Sequence, residues 1–177
     1  MTKIYEIHRE QVIKTDLETA WNFISSPKNL DAITPDRLSF EIITDLPENM
    51  YNGLLIEYRV GIPLLGKQTW LTEIKHIREK HSFVDEQRIG PYKIWYHDHQ
   101  IHAHPEGVRF IDKVHYVLPF GPLGSIAHTI YVKNMLQYIF KHRAIMMPKL
   151  LENWTAGGKH FLKLIWTATA PNYGWRR

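Results

Sequence analysis

The chain has 177 residues, of which 44% are hydrophobic and 23% are charged. These values are typical of one packed globular domain. Because the sequence contains no cysteine, disulfides, thiolate metal ligands and thiol nucleophiles are excluded. The net charge of +4 comes from residues 148–177, since residues 1–147 hold 17 basic and 17 acidic residues. Nothing in this balance calls for a nucleic-acid-binding face.

The sequence also gives no sign of a membrane protein. No apolar run approaches the roughly 18 residues that are needed to span a bilayer. The first ten residues, MTKIYEIHRE, carry charges where a signal peptide would have an apolar stretch. We therefore expect a cytoplasmic protein without a membrane span.

Two short helices are predicted early in the chain. Thr15 and Glu18 form a Thr-x-x-Glu capping box, in which each side chain can satisfy a free backbone N–H at a helix start. Ser26 and Pro27 offer an N-cap followed by proline at the first helical position. This second helix should end before Pro35, because the residue before a proline disfavours helical geometry.

The rest of the chain is predicted to be mainly strands, followed by one long helix. Apolar residues at helical spacing predict this helix over residues 122–147, with its end at Pro148. The element order β-αα-β₆-α indicates an α+β fold with an antiparallel meander. Alternating apolar residues and breaks at glycine and proline predict strands near residues 3–13, 38–45, 53–61, 67–78, 81–89, 92–104 and 107–118.

The last predicted hairpin has a register that its side chains favour. A turn at Pro105-Glu106 places the outward Asp98 opposite Lys113, a favourable cross-strand charge pair. A shift by one residue would exchange the two faces and break this sorting. On the inner face, the same register pairs Trp95 with Tyr116, His97 with Val114, His99 with Asp112, and Ile101 with Phe110.

This register places polar groups on a face that the long helix should cover. A buried Asp112 needs a partner, and His99 is the expected one. The carboxylate would raise the pKa of the imidazole and burial would lower it. The sequence leaves two interpretations open: a general base, His99 or His97, oriented by Asp112, or a polar pair that fixes the shape of a cavity.

Several stretches, in order over residues 3–147, resemble the START-like (SRPBCC) helix-grip superfamily, and in particular its polyketide cyclase/dehydrase-like ligand-binding branch. They are ETAWNFISSPKNLDAITP, TWLTEI, FVDEQRIGPYKIWYHDH, DKVHYVLPFGPLG and IFKHR. The resemblance implies an antiparallel sheet of about seven strands curved round a long C-terminal helix, with an internal cavity. It also implies a START-like domain over residues 1–147 and leaves residues 148–177 as a basic tail outside the match.

The cavity is expected to hold a small hydrophobic or aromatic molecule. Arg143, near the end of the long helix, could bind an acidic ligand head or could simply favour the helix dipole. The tail should pack onto the domain or onto a second subunit in a homodimer. The residues expected to bind the ligand share inward-facing strand positions or the long helix: Tyr58, Trp70, Thr72, Phe83, Gln87, Trp95, Phe110, Tyr116 and Arg143.

The segment HDHQIHAH invites a metal hypothesis, because neutral imidazole binds zinc, iron and nickel. Alternation along a strand lets only His97 and His99 converge, while His102 and His104 face the other way. Since no third ligand is evident in the sequence, we expect neither a metal nor another cofactor.

The sequence leaves three functions open. The first is a carrier or sensor for a lipid- or polyketide-like molecule. The second is an aromatase/cyclase- or dehydratase-type enzyme that uses the His-Asp pair as its base, with Tyr116 polarising a ligand oxygen. The third is a structural or regulatory domain with a closed cavity. Fold alone does not decide between them.

Overall fold

The computed structural model of the protein describes residues 3–62 and 66–154. Within them, seven strands form one curved antiparallel sheet in the order β1-β7-β6-β5-β4-β3-β2. The first strand thus pairs with the last, and the α+β helix-grip prediction is confirmed. The strands are β1 Tyr5–Ile13, β2 Glu41–Ile42, β3 Leu55–Ile62, β4 Gly66–Arg78, β5 Ser82–Ile89, β6 Ile94–His104 and β7 Gly107–Val117.

Helices cover the inner face of the sheet. Two of them, α1 (Leu17–Ile24) and α2 (Asn29–Ala32), connect β1 to β2. Residues 122–154 form one continuous C-terminal helix. Within the described part of the chain, no helix combines the length and apolarity needed to cross a membrane. The C-terminal helix consists of α3 (Pro122–Ala127), a π-helical turn (His128–Val132) and α4 (Lys133–Trp154).

The start of α1 differs from the predicted capping box. Asp16 is the N-cap, and its carboxylate accepts hydrogen bonds from the Thr19 N–H at 2.8 Å and the Thr19 hydroxyl at 2.6 Å. Glu18 instead forms an ion pair with Lys80. An ionised Asp caps as well as Thr does, and its negative charge is also favourable at a helix N-terminus. The capping prediction was therefore wrong by one residue.

The second short helix begins later than predicted. Ser26 and Pro27 form a turn, accepting the backbone N–H groups of Asn29 and Leu30 at 3.0 and 3.1 Å, and α2 starts only at Asn29. The buried Asn29 amide donates to the Phe23 carbonyl at 2.7 Å, which satisfies a carbonyl at the end of α1. The helix ends before Pro35, as predicted.

Pro148 does not end the C-terminal helix, contrary to the prediction. A proline in a helix interior costs roughly 3 kcal/mol, yet α4 continues to Trp154. Met147 and Leu151, one turn apart, both pack in the main core, and Leu151 is completely buried. Tertiary packing therefore outweighs the local penalty. The division at residue 147 remains a prediction, and residues 155–177 of the predicted tail lie outside the described residues.

The register of the β6–β7 hairpin is the predicted one. Trp95 lies opposite Tyr116, and His99 lies opposite Asp112. The turn at residues 105–106 joins the two strands, so both faces are sorted as the sequence indicates. This register brings the predicted polar residues to the inner face, under the C-terminal helix.

Candidate functional site

A cavity of about 190 Å³ lies on the inner face of the sheet. Side chains of α1 and α2, such as Phe23 and Leu30, line it together with Leu136 and Phe140 of α4. Most of its wall is apolar, which is typical of sites for small organic molecules. The predicted site residues that line it are Tyr58, Trp70, Thr72, Phe83, Trp95, His97, His99, Phe110, Asp112 and Arg143.

Two histidines and two aspartates form one compact group in the wall of this cavity, which we call the polar cluster: Asp85, His97, His99 and Asp112. The imidazole rings of His97 and His99 lie 3.7 Å apart between centroids. On one edge of this ring pair, His97 Nδ1 and His99 Nε2 lie 3.3 and 2.8 Å from Asp85 Oδ2. On the opposite edge, His97 Nε2 and His99 Nδ1 lie 2.9 and 3.1 Å from Asp112 Oδ1.

Strand geometry explains how the polar cluster assembles. His97 and His99 are two residues apart on β6 and therefore share a face. β7 brings Asp112 opposite His99, while β5 brings Asp85 opposite His97. Phe83, two residues before Asp85, stacks on the His99 ring at 4.4 Å. Neighbouring strands thus hold the ring pair from both sides and fix its orientation.

Burial and charge act in opposite directions on the polar cluster. Desolvation raises the pKa of Asp85 and of Asp112, but the hydrogen bonds and charges of the two histidines outweigh it and hold both pKa values well below the usual range. Desolvation also lowers the pKa of His99, yet hydrogen bonds to Asp112 and Asp85 raise this pKa to about 9. The side chain of His97 is only 2% exposed, against 17% for His99 and 22% for each aspartate.

An aromatic wall borders the polar cluster on the same face. Trp70 packs edge-on against Trp95 with ring centroids 5.2 Å apart, and Tyr92 lies 4.8 Å from Trp95. The Trp70 indole N–H donates to the Thr72 hydroxyl at 3.0 Å. The Thr72 hydroxyl keeps its own proton, so it can still donate a hydrogen bond to a ligand oxygen.

Two of the predicted ligand-binding residues direct their polar atoms away from the cavity. The Gln87 amide spans the turn before β6, donating to the Tyr92 carbonyl at 2.6 Å and accepting from its N–H at 3.2 Å. The Tyr116 hydroxyl bonds His128 Nε2 at 2.8 Å. Gln87 therefore shapes a turn, and Tyr116 secures the start of the C-terminal helix.

Tyr116 belongs to a second group of side chains, which we call the aromatic cluster: Tyr5, Tyr92, Trp95, Tyr116 and His128. The His128 ring stacks on Tyr5 at 3.6 Å between centroids, and Tyr5 lies 5.4 Å from Tyr116. Burial raises the pKa of Tyr116 to about 12 and lowers that of His128. The neutral His128 ring therefore accepts the hydrogen bond that the Tyr116 hydroxyl donates.

Arg143 and Tyr58 provide polar groups at another part of the wall. The Arg143 Nε is buried and has no hydrogen-bond partner among the described residues, while its guanidinium carbon lies 5.4 Å from the Phe140 ring centroid. Burial raises the pKa of Tyr58, and the Asp85 charge adds to this effect while Arg143 opposes it. The pKa of Tyr58 therefore depends on the charges of both Asp85 and Arg143.

Asp85 was not predicted as a site residue. It occupies β5 between Phe83 and Gln87, two positions that alternation had placed on the inner face, so the signal was present in the strand period. The contributions of Asn29, Leu30 and Met147 to the wall were also missed, because they depend on how α1, α2 and α4 pack on the sheet. His102 and His104 lie outside the polar cluster, as alternation predicts.

Known structures share this fold at low sequence identity. SA2116 from Staphylococcus aureus, a protein of unknown function, is 12% identical with a TM-score of 0.64, covering 88% of this chain and 98% of its own. CV1439 from Chromobacterium violaceum is 11% identical with a TM-score of 0.62, covering 82% and 96%. Ara h 8.0201 is 16% identical with a TM-score of 0.54, covering 80% and 95%.

These likenesses establish a helix-grip, START-like fold and no particular activity. No protein-family model matches the sequence, and no curated protein matches it. The polyketide cyclase-like branch therefore remains a prediction from the resemblance.

Proposed function

We propose that the chain binds a small aromatic molecule in the cavity, as a carrier or sensor. The observation that carries this proposal is an apolar, aromatic-walled cavity that holds a few polar groups at defined positions. Such a combination is the usual design of small-molecule sites, where apolar walls supply affinity and polar groups fix orientation.

The cavity volume limits the size of the ligand. About 190 Å³ is close to the roughly 150 Å³ of an apolar cavity that accepts benzene. It is smaller than the roughly 300–1,000 Å³ of pockets that hold drug-sized molecules. A single substituted ring therefore fits this volume better than a lipid chain or a long polyketide.

Arg143 indicates which polar substituent the aromatic ligand has. A buried donor without a partner is costly, so a ligand that supplies an acceptor to the Arg143 Nε would remove this cost. Guanidinium groups pair with carboxylates through two parallel hydrogen bonds. We therefore propose an aromatic carboxylic acid as the ligand class, with its ring against Trp70 and Trp95.

The test is calorimetric titration of the full chain with benzoate and with benzyl alcohol. We expect both to bind saturably, and Arg143→Met to weaken benzoate at least tenfold while leaving benzyl alcohol within twofold. Arg109→Met is the matched control, because Arg109 pairs with Glu10 at the surface, and it should change neither affinity.

Two results would contradict this proposal. Wild-type protein that binds neither probe would argue for the closed, structural domain. Equal loss of both probes in Arg143→Met would show that this side chain only shapes the cavity. Native mass spectrometry of protein purified without added ligand, followed by solvent extraction, would identify a molecule that co-purifies.

The polar cluster supports a second candidate, an aromatase/cyclase- or dehydratase-type enzyme with His99 or His97 as base. Its position in the cavity wall favours this idea. However, each ring nitrogen of the two histidines lies within 3.3 Å of a carboxylate oxygen, so none is free to accept a substrate proton without rearrangement. Binding is therefore the better supported function. The cytoplasmic location and the homodimer remain predictions from the sequence.

A further inference from the structure

We propose that one edge of the polar cluster is a binding site for a divalent first-row transition metal, held by His97 Nδ1, His99 Nε2 and Asp85 Oδ2. Asp85, His97 and His99 each offer one donor atom, and these atoms lie within 4.8 Å of one another. Asp85 Oδ2 is 3.3 Å from His97 Nδ1 and 2.8 Å from His99 Nε2. Metal–ligand bonds of about 2.0–2.1 Å separate neighbouring donors by roughly 3 Å, so small side-chain shifts suffice.

Asp112 occupies the position that a supporting residue of such a site requires. A metal-bound imidazole normally donates its other N–H to a carboxylate or a carbonyl, which fixes its tautomer and orientation. Asp112 Oδ1 lies 2.9 Å from His97 Nε2 and 3.1 Å from His99 Nδ1. One carboxylate therefore orients both histidines with their remaining nitrogens towards Asp85.

Packing against aromatic side chains also holds the two imidazole rings in this orientation. The His97 side chain is 2% exposed, and its ring lies 5.7 Å from Phe140 of the C-terminal helix. Phe83 stacks almost parallel to the His99 ring, at an interplanar angle of 14°. A site built on packed strands keeps its ligands in place better than one built on loops.

The donor set indicates the class of metal. Two imidazole nitrogens and one carboxylate suit zinc, iron, cobalt and nickel, whereas calcium and magnesium prefer oxygen ligands alone. Three protein ligands leave coordination positions open, and all three residues line the cavity. A divalent cation would also balance the charge of two carboxylates that lie together beside an apolar wall.

The missing third ligand was the reason to expect no metal from the sequence. Alternation on β6 brings together only His97 and His99, and the ligand that completes the set comes from β5, where Asp85 lies opposite His97. The proposed metal site needs no organic ligand, so it stands or falls separately from the proposed carrier function.

The experiment uses the tag-free full chain, treated with a chelator, dialysed, and titrated with Co²⁺ alone. We expect a saturable visible absorption band at one Co²⁺ per chain, which one equivalent of Zn²⁺ abolishes. Asp85→Asn should weaken binding more than a hundredfold, and Asp112→Asn about 10- to 100-fold, as the loss of a supporting partner does elsewhere. His102→Gln/His104→Gln removes histidines from the opposite face of β6 and should leave the titration unchanged.

X-ray absorption at the zinc edge tests the metal site in the wild-type protein, so its result does not depend on whether the variants fold. The wild-type Zn²⁺ complex should show two imidazole ligands per zinc. No saturable Co²⁺ band in wild-type protein would overturn the proposal. So would a zinc shell made only of oxygen, or loss of binding in His102→Gln/His104→Gln instead of Asp85→Asn.

Discussion

The aromatic cluster and the polar cluster meet on strands β6 and β7, but their buried side chains are stabilised in different ways. Trp95 and His97 are two residues apart on β6, and Tyr116 and Asp112 are four apart on β7. In the aromatic cluster, rings pack against one another and the partly buried hydroxyl–imidazole bond is neutral. In the polar cluster, charged groups pair with one another in the wall of the cavity. The first region therefore stabilises the fold through neutral packing, and the second does so through ion pairs in the wall of the cavity.

The largest effect should come from emptying the aromatic cluster. Tyr116 is 2% exposed, and its truncation in Tyr116→Ala leaves a void that the surrounding rings cannot fill. We expect the free energy of unfolding in urea to fall by about 4 kcal/mol. Tyr138→Ala on the exposed face of α4, where Tyr138 is 47% exposed, should cost less than about 0.5 kcal/mol. Similar losses of unfolding free energy in both variants would show that the aromatic cluster stabilises the fold no more than an exposed side chain does.

Removing one charge from the polar cluster should come next. Asp112→Ala leaves the two imidazoles with a single carboxylate, and breaking a buried ionic pair costs about 3 kcal/mol. The measurement is again urea unfolding. Asp98→Ala is the matched control, because Asp98 faces outward on β6 and bonds Gln100 at 2.6 Å; it should cost less than about 1 kcal/mol. If Asp112→Ala is no worse than Asp98→Ala, the polar cluster contributes little to folding.

The smallest effect should be a pH dependence from the aromatic cluster. Burial lowers the pKa of His128, and the positive charges of Lys3 and Lys133 lower it further. The stabilising contribution of neutral His128 is therefore intact above roughly pH 6.5. It is lost as the pH falls below that value, because the unfolded chain takes up the proton first.

His128→Asn removes this titration. The unfolding free energy of wild type minus that of His128→Asn should be larger at neutral pH than at pH 5, and the subtraction removes the contribution of the other histidines. A difference that does not change with pH would mean that His128 is not held neutral by its surroundings.

The contrast between these clusters also shows what the sequence could predict. Two neighbouring strands joined by a tight turn carry their own register, so the pairing of Asp98 with Lys113 was enough to place Trp95, His99 and Asp112. The register between β5 and β6 depends on a longer connection, over residues 90–93, and no charge pair specifies it. The contact of Asp85 with both histidines could therefore not be predicted, although the position of Asp85 on the inner face could.

Helix ends show the same limit. Local chemistry predicted a helix start near Thr15, and the structure shifts the cap by one residue to Asp16. Local chemistry also predicted an end at Pro148, and there the burial of Leu151 in the core reverses the expectation. The fold and the strand residues of the cavity wall follow from sequence patterns, whereas the helix residues of that wall depend on tertiary contacts that no local pattern contains.

The pairing of the first strand with the last has a consequence for how the protein is made. Tyr5 pairs with Tyr116 and Ile13 with Val108, so β1 has no partner until most of the chain has left the ribosome. Contacts between residues so distant in sequence slow folding, and an unpaired strand edge is prone to aggregation. Nascent chains should therefore be most prone to aggregation before β7 is complete.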